Sequence, residues 1–265
     1  MARDFYDPDL YEATAPGLPG DVDFFVALAR EVCEAEGFNP QLGVLELACG
    51  TGRIAIPIAR EGIPVVGLDA SAAMLARARE KSAGLSNIRW VEGNMREFSL
   101  PECFGLAFVA YRSFQHLLTT ADQLSCLRCI HEQLSPGGRL VINIFNPNIL
   151  MIAEWLGAKR GTIQPRRDDY SHPKTGRAMR AWETREYRTA AQEVDNTFID
   201  EELNDEKAVI STVHAGFKLR YVFRYEMEHL LARAGFEAEA LYGDFSRSPF
   251  EDRSPEMVWT VRKPD

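Results

Sequence analysis

The chain has 265 residues, of which 46% are hydrophobic and 26% are charged, and its formal net charge is −9. This composition is typical of a folded globular protein and excludes extensive disorder as the main state. The acidic balance disfavours a nucleic-acid partner, because nucleic-acid-binding proteins usually present a basic face.

No apolar run reaches transmembrane length, and the segment after Met1 lacks the apolar core of a signal peptide. We therefore expect a cytoplasmic protein without a membrane partner. Five cysteines in a chain of this length do not indicate a disulfide framework. A short basic stretch, Lys159-Arg160 and Arg166-Arg167, is interpreted as a solvated loop.

The first predicted elements are an irregular segment over residues 1–19 and a helix from about Asp21 to Glu36. Strands and helices then alternate, and the predicted strands are Val44–Ala48, Val65–Leu68, Ile88–Val91, Leu106–Ala110 and Leu140–Phe145. Pro57 predicts a late start or a kink in the helix Arg53–Glu61. Thr120 and Gln123 have capping-box spacing before the fifth strand. This alternation predicts a parallel sheet with helices on both faces.

The pattern changes after Asn146. Longer, partly alternating segments between Arg177 and Phe223 predict an antiparallel β insertion. A helix follows at Tyr225–Ala234, and two closing strands are predicted at Glu239–Tyr242 and Met257–Val261. The expected fold class is therefore α/β, with seven strands in a mostly parallel sheet and an antiparallel insertion, or flap, after the fifth strand.

The first strand leads into a glycine-rich turn, Cys49-Gly50-Thr51-Gly52, which allows a ligand to approach the backbone closely. Asp69 ends the second strand, where a carboxylate can accept both hydroxyls of an adenosine ribose. Residues 50–55 also fit the dinucleotide pattern, so an NAD(P)-dependent dehydrogenase is an alternative. Glu46 favours S-adenosylmethionine, because a carboxylate repels a pyrophosphate but attracts an ammonium and a sulfonium.

Four segments carry a family resemblance: Leu-Glu-Leu-Ala-Cys-Gly-Thr-Gly (45–52), Gly-Leu-Asp-Ala-Ser (67–71), Glu-Gly-Asn-Met-Arg (92–96) and Leu-Ser-Pro-Gly-Gly-Arg-Leu (134–140). In this order and spacing, across residues 43–145, they resemble the motifs of class I S-adenosylmethionine-dependent methyltransferases of the small-molecule type. The resemblance implies a Rossmann-like fold, S-adenosyl-L-methionine as cofactor and S-adenosyl-L-homocysteine as product. No acidic cluster follows the fourth strand, so we expect no metal.

The resemblance also implies residue roles. Glu46 and the Gly50–Gly52 backbone would hold the methionine end, and Asp69 the ribose. Asn94 stands where many members have Asp, and its side-chain oxygen can still accept from the adenine amino group. The full set expected at the cofactor is Tyr11, Glu46, Ala48, Gly50, Gly52, Arg53, Asp69, Ala70, Met74, Asn94, Met95, Arg96 and Tyr111.

The segment Tyr111–His116 follows the fourth strand, where the family places substrate and catalytic groups. His116 is the candidate general base, because its ordinary pKa of about 6.5 lies near neutrality; the alternative is a structural hydrogen-bonding role. Residues expected at the substrate are Tyr6, Arg112, Gln115, Asn146, Arg224 and Tyr225.

We expect the methyl acceptor to be a nitrogen or oxygen nucleophile of a small metabolite, with a homodimer as a possible assembly. The fourth strand is not followed by Asn/Asp-Pro-Pro-Tyr or Pro-Cys, which argues against nucleic-acid methylation. A non-catalytic S-adenosylmethionine-binding protein is the other alternative. The Tyr170-x-x-x-Lys174 pair of a dehydrogenase is disfavoured, because Pro173 and Gly176 oppose the helix that it needs.

The predicted organisation has four parts. Residues 1–40 form an N-terminal segment and helix that cover the cofactor site, and residues 41–148 form the cofactor-binding core. Residues 149–223 form the β insertion that caps the substrate, and residues 224–265 complete the core sheet.

Overall fold

The computed structural model describes residues 8–34, 42–157 and 162–265. Its α-helices are α1 (Pro8–Thr14), α2 (Asp21–Glu34), α3 (Ala55–Arg60), α4 (Ala72–Lys81), α5 (Thr120–Gln133), α6 (Ile149–Gly157) and α7 (Arg224–Arg233). Its strands are β1 (Gly43–Leu47), β2 (Val65–Asp69), β3 (Ile88–Glu92), β4 (Phe104–Val109), β5 (Leu134–Phe145), β6 (Gln164–Pro165), β7 (Tyr170–Ser171), β8 (Ala178–Arg188), β9 (Glu193–Leu203), β10 (Val209–Arg220), β11 (Glu237–Tyr242) and β12 (Glu256–Arg262). Short 3-10 helices span Ser113–His116 and Thr189–Ala191.

The chain divides into two compact units. The insertion unit comprises Met1–Pro16 and Pro147–Tyr221, and the core unit comprises Gly17–Asn146 and Val222–Asp265. Three groups of residues named in the predictions lie outside the described residues: Tyr6, Lys159-Arg160, and the last two residues of the helix predicted to end at Glu36.

The core unit contains a seven-stranded sheet in the order β11-β12-β5-β4-β1-β2-β3. Strands β1 to β5 are parallel to one another, whereas β12 runs antiparallel to both β5 and β11. The predicted Rossmann-like, mostly parallel sheet is confirmed. Because β2 and β4 lie on opposite sides of β1, the chain direction across the sheet reverses at β1, and ligands bind at the carboxyl edge of such a switch point.

The central strands are continuous apolar runs because helices cover both sheet faces. Every residue of β1 and β4 is buried, whereas the edge strand β3 is half exposed. Alternate residues of β1 point to opposite faces of the sheet: Val44 packs with α2 and α3, and Leu45 packs with α5 and α7. On the α2 face, the rings of Phe25 and Phe108 stack with centroids 4.4 Å apart.

The insertion unit contains an antiparallel sheet in the order β10-β9-β8-β6, and β7 also pairs with β8. Its three long strands, β8, β9 and β10, are joined by short connections. The predicted antiparallel insertion after the fifth strand is therefore confirmed. Within this unit Tyr170 lies in β7, and its hydroxyl donates to Asp200 Oδ1 at 2.9 Å. Tyr170 and Lys174 therefore do not share a helix.

Two local predictions were wrong. Thr119, rather than Thr120, caps α5, because its extended backbone lets Oγ1 accept from the Asp122 amide at 3.0 Å. The fifth strand begins at Leu134 instead of Leu140, because Leu134 pairs with Phe104 before an irregular stretch restores the register. The predicted late start of the helix containing Pro57 is confirmed, since α3 begins at Ala55.

Among the helices formed by the described residues, none combines the length and the apolar character needed to cross a bilayer.

A close approach between β2 and β3 gives a test of the core packing. An alanine Cβ at Gly67 would lie 2.4 Å from Trp90 Cζ3 and 2.9 Å from Cys49 Sγ. The indole is part of a rigid ring, so we expect Gly67→Ala to lower the free energy of unfolding by about 1–3 kcal/mol. Urea denaturation measures the effect. Gly157→Ala is the control, because its Cβ would meet no atom within 4 Å; equal effects of the two changes would contradict the packing argument.

Candidate active site

The glycine turn after β1 lies at the carboxyl edge of the core sheet. Its backbone enters the left-handed region three times, at Ala48 (φ 53°), Gly50 (φ 55°) and Gly52 (φ 77°). Glycine adopts this conformation without cost, whereas Ala48 stores strain of about 1–3 kcal/mol. The turn is held to the sheet by a hydrogen bond from the Cys49 amide to the Leu68 carbonyl at 3.1 Å.

Asp69 joins the glycine turn to the start of α4. Its Oδ2 accepts from the Gly50 amide at 2.7 Å, and its Oδ1 accepts from the Ser71 amide at 2.8 Å. Burial raises the pKa of this carboxyl, although these backbone hydrogen bonds oppose the rise. Ser71 caps α4, so the exposed Ala70 and the buried Met74 are placed on either side of the cap.

Glu46 lies beneath the turn, with 3% of its surface exposed. Its Oε2 accepts from the Ala55 amide at 2.9 Å and so satisfies a donor at the start of α3. Burial raises its pKa to about 8; the charge of Arg53 opposes the rise and the charge of Asp69 adds to it. Glu46 is therefore held mostly protonated at pH 7, and its hydrogen bond fixes the start of α3 beneath the turn.

Arg53 is held in an ion pair with Asp21. Its two terminal nitrogens lie 2.8 and 2.6 Å from the two carboxylate oxygens, and Asp21 Oδ2 also accepts from the Leu18 amide at 3.1 Å. The guanidinium also lies over the Tyr111 ring, 5.3 Å from its centroid. Arg53 thus links the start of α2, the glycine turn and the turn after β4.

The segment after β3 carries three of the residues predicted at the cofactor. Asn94 Oδ1 accepts from the Arg96 amide at 3.0 Å and from Arg96 Nε at 3.3 Å. Arg96 also pairs with Asp122 at 3.3 Å, whereas Met95 packs against the apolar core. The Asn94 oxygen, which we expected to accept from adenine, is thus engaged in a local turn.

The turn after β4 is strained. Tyr111 (φ 51°) and Arg112 (φ 65°) are consecutive non-glycine residues in the left-handed region. The Arg112 guanidinium is paired with the buried carboxylate of Glu256, and Glu256 Oε2 also accepts from Asn143 Nδ2 at 2.8 Å. Arg112 lies 5.9 Å from the Phe145 ring centroid. These contacts attach the turn to β5 and β12.

His116 ends the 3-10 helix that follows this turn. Part of its side chain reaches the surface, but the surrounding protein desolvates the ring and lowers its pKa from the ordinary value. The imidazole is therefore neutral at pH 7 and able to accept a proton. Gln115 is fully buried, and its Oε1 accepts from the Phe145 amide at 3.1 Å.

The remaining predicted residues lie in separate places. Asn146 donates from Nδ2 to the Ser254 carbonyl at 2.9 Å in the core unit. Arg224 and Tyr225 are exposed at the start of α7, where the guanidinium lies 5.2 Å from the Tyr225 ring centroid. Tyr11 lies on α1 in the insertion unit.

The structure adds three residues that sequence reasoning missed. Asp21 neutralises Arg53, and Glu256 holds Arg112. Trp90 packs so closely on the glycine turn that a Cβ at Gly52 would lie 2.5 Å from its ring. The indole also donates to Ser82 Oγ at 3.0 Å. No local motif marks these residues, because their partners are distant in sequence.

Within residues 8–34, 42–157 and 162–265, no three His, Cys, Asp or Glu side chains come together as a metal-ion ligand set.

Comparisons with known proteins identify the family. Residues 44–138 match the family model described as a methyltransferase domain. The chain is also similar to the solved CcbJ methyltransferase from Streptomyces caelestis, with 26% identity and a TM-score of 0.77, over 94% of this chain and 97% of that one. Residues 44–138 thus form a methyltransferase domain, and the chain as a whole resembles a solved methyltransferase. This similarity implies S-adenosylmethionine as the cofactor.

Two further relatives differ in how much of their length is matched. The cypemycin N-terminal methyltransferase of Streptomyces sp is 25% identical over 260 residues, which are 97% of this methyltransferase and 99% of that protein. The protein YqeM of Bacillus subtilis (strain 168) is 32% identical over 111 residues, which are 41% of this chain and 45% of that one. The chain thus spans less than half the length of the second relative.

The buried Glu46 predicts a pH dependence of stability. Because its pKa is near 8 in the folded state and near 4.5 when exposed, the folded state holds a proton that the unfolded chain has released. The stability of the parent should be full below about pH 4.5 and should fall as the pH rises towards 8. The glutamine in Glu46→Gln cannot titrate, so this variant should not lose stability in that way. The difference in free energy of unfolding, variant minus parent, should therefore rise by more than about 2 kcal/mol between pH 5 and pH 9.

Urea denaturation at both pH values measures this difference. Glu102→Gln is the control, because Glu102 forms an exposed ion pair with Arg89 in the loop before β4. A difference between Glu46→Gln and the parent that does not change with pH would contradict the buried, proton-holding carboxyl.

Proposed function

We propose that this methyltransferase transfers a methyl group to a nitrogen nucleophile of a small molecule, with an oxygen nucleophile as the alternative. The observation that carries the proposal is the similarity, over 97% of the chain, to an enzyme named as an N-terminal methyltransferase. An N-terminus offers an amine nitrogen, whose lone pair can attack a methyl group directly.

The donor set at the carboxyl edge fits S-adenosylmethionine. A carboxylate offers about four lone-pair sites, and the two backbone hydrogen bonds leave Asp69 able to accept from ribose hydroxyls. The glycine turn would receive the methionine end, whose ammonium would lower the raised pKa of Glu46 and stabilise its ionised form. Ala70 and Met74 would flank the adenine, together with Met95. A pyrophosphate would be repelled by the same carboxylates, which disfavours the dehydrogenase alternative.

When bound, S-adenosylmethionine supplies an electrophilic methyl group on a sulfonium. This methyl group would pass to the acceptor nitrogen, and the electron pair of the carbon–sulfur bond would remain on sulfur. The chain orients the acceptor in line with that bond, which can account for much of the rate. His116 takes the proton that the nitrogen loses, because its neutral imidazole is available at pH 7.

The strained turn after β4 gives His116 a fixed position. Arg112, tied to Glu256, holds the backbone at the point from which the 3-10 helix starts. The place where the acceptor would bind at this edge is therefore formed by Arg112, Gln115 and Asn146. Tyr111 lines the same edge beside Arg53. The role of residues 149–223 as the substrate cap stays a prediction.

The cofactor assignment is tested by calorimetric titration with S-adenosylmethionine, S-adenosylhomocysteine and NAD. We expect both adenosyl ligands to bind and NAD to show no heat. Asp69→Asn should weaken both by about 10- to 100-fold, because charge-assisted hydrogen bonds contribute about 1.5–3 kcal/mol. Glu102→Gln removes the same charge far from the carboxyl edge and should change neither affinity. Binding of NAD alone would sink the methyltransferase proposal.

The acceptor class is tested with methyl-labelled S-adenosylmethionine and three sets of probes: dipeptides with an unblocked N-terminus, amino sugars and simple alcohols. We expect label on the amines. Label on alcohols alone would move the acceptor to oxygen. Tight cofactor binding without transfer to any acceptor would favour the non-catalytic alternative.

His116→Asn tests the general base on the best amine. It should lower kcat by about 10²- to 10⁴-fold and remove the limb of the pH–rate profile below pH 6.5, with cofactor affinity unchanged. His229→Asn, on an exposed face of α7, is the matched control. An unaltered rate in His116→Asn would assign the proton to water.

A further inference from the structure

Arg112 forms an ion pair that uses only one edge of its guanidinium. Its Nε donates to Glu256 Oε2 at 3.3 Å, and its Nη2 is paired with Glu256 Oε1. A guanidinium has five N–H donors, so both hydrogens of Nη1 and one hydrogen of Nη2 remain. Nη1 has no hydrogen-bond partner among the residues that the structure describes, and 38% of the Arg112 side chain is exposed. These remaining donors form a second edge that is open to solvent.

The groups that hold Arg112 are buried at a cost. Only 5% of the Glu256 side chain is exposed, and it accepts from Asn143 Nδ2 at 2.8 Å. Asn143 is fully buried, and its Oδ1 has no hydrogen-bond partner in the described part of the chain. Burying a carboxylate and leaving an amide oxygen unpaired both cost free energy, so such a cluster is weak evidence for a stabilising role. Its retention therefore points to a function for the free edge of Arg112.

The free edge lies where the acceptor is proposed to bind. Glu256 pairs in register with Phe145 at the carboxyl edge of the core sheet, and the guanidinium lies 5.9 Å from the centroid of that ring. Arg112 is also the left-handed residue directly before the 3-10 helix that ends at His116. Strained residues of this kind cluster at ligand sites. The arginine and the proposed base thus belong to one short segment.

The chemistry of the free edge selects a carboxylate. Two N–H groups of a guanidinium match the two oxygens of a carboxylate. Glu256 already balances the charge of Arg112, so a monoanion fits the edge better than a dianionic phosphate. A 3-10 helix rises about 2.0 Å per residue, which separates Arg112 and His116 by about 8 Å along it. An extended dipeptide spans about 7 Å, a comparable length.

We propose that the free edge of Arg112 binds a carboxylate of the methyl acceptor. The preferred acceptor is then an amine that also carries a carboxylate, such as an amino acid or a short peptide. Arg112 is the specificity-determining residue, whereas Glu256 and Asn143 are positioning residues that hold its guanidinium. This inference rests on the proposed methyl transfer to nitrogen and adds the second group by which the acceptor is recognised.

Dipeptides prepared with either a free C-terminal carboxylate or a C-terminal amide test the proposal. With methyl-labelled S-adenosylmethionine, the parent should use the acid with a kcat/KM about 10- to 100-fold higher than the amide, because the amide loses the charge-assisted hydrogen bonds. The difference should lie mainly in KM. Arg112→Gln should abolish the preference, and Arg112→Lys should keep only part of it, because lysine keeps the charge but lacks the fork. The preference compares two probes on one protein, so general damage to the turn cancels.

Arg139→Gln is the matched control. Arg139 pairs with Glu239 and is 37% exposed, but it lies beside Arg262 at the far end of β12. This variant should keep the preference of the parent for the acid.

Calorimetric titration of both dipeptides into the complex with S-adenosylhomocysteine measures recognition without methyl transfer. Binding of the acid that depends on Arg112, in a protein that transfers no methyl group, would support the inference and count against the proposed function alone. Equal use of acid and amide by the parent, or a preference that survives Arg112→Gln, would overturn the inference. Methylation of amino sugars but of no dipeptide would also overturn it and would leave the nitrogen acceptor in place.

Discussion

The carboxylate of Asp69 fixes the carboxyl edge of the core sheet by accepting backbone hydrogen bonds from the glycine turn and from the start of α4. The charges of Asp69 and Asp21 both raise the pKa of the buried Glu46, and the charge of Arg53 opposes them. Because burial raises the pKa of both Glu46 and Asp69, the edge favours a ligand that supplies positive charge. The ammonium and sulfonium of the cofactor are such charges.

Strain in the backbone is concentrated at the same edge. Ala48, Tyr111 and Arg112 all adopt left-handed conformations in the loops that follow β1 and β4, the strands on either side of the switch point. Each costs about 1–3 kcal/mol, so surrounding contacts must hold them. The pairing of Arg112 with Glu256, which also accepts from Asn143, is one such contact. The rigidity of this edge thus comes from side-chain contacts between the loops and the strands beside them.

Periodicity and punctuation predicted the fold well. The alternation of apolar strands with helices gave the parallel sheet, and the change of rhythm after Asn146 gave the antiparallel insertion. The ends of helices were predicted less accurately than the helices themselves. Thr119 and Thr120 can both cap a helix, and only the backbone conformation decides between them. The start of β5 was missed because Pro136-Gly137-Gly138 signals a turn even where the chain continues along β4.

The site was predictable only where it follows motifs. The glycine turn and Asp69 lie together as their order in the chain implies. The partners of Arg53 and Arg112, by contrast, are 32 and 144 residues away. Sequence spacing carries no information about such pairs, so Arg53 and Arg112 were expected to face ligands directly and their internal contacts were not foreseen. Asn94 illustrates the same point at short range, since its turn with Arg96 depends on side-chain geometry.

The order of strands in the core sheet constrains how the chain can be made. β12, the last strand of the sequence, lies between β5 and β11, so the outer edge of β5 has no neighbour until the final residues have been synthesised. The insertion unit, from Pro147 to Tyr221, leaves the ribosome before that edge is closed. A nascent chain therefore carries the open edge of an apolar strand through the synthesis of more than a third of its length, and during that time the edge is exposed to pairing with other chains.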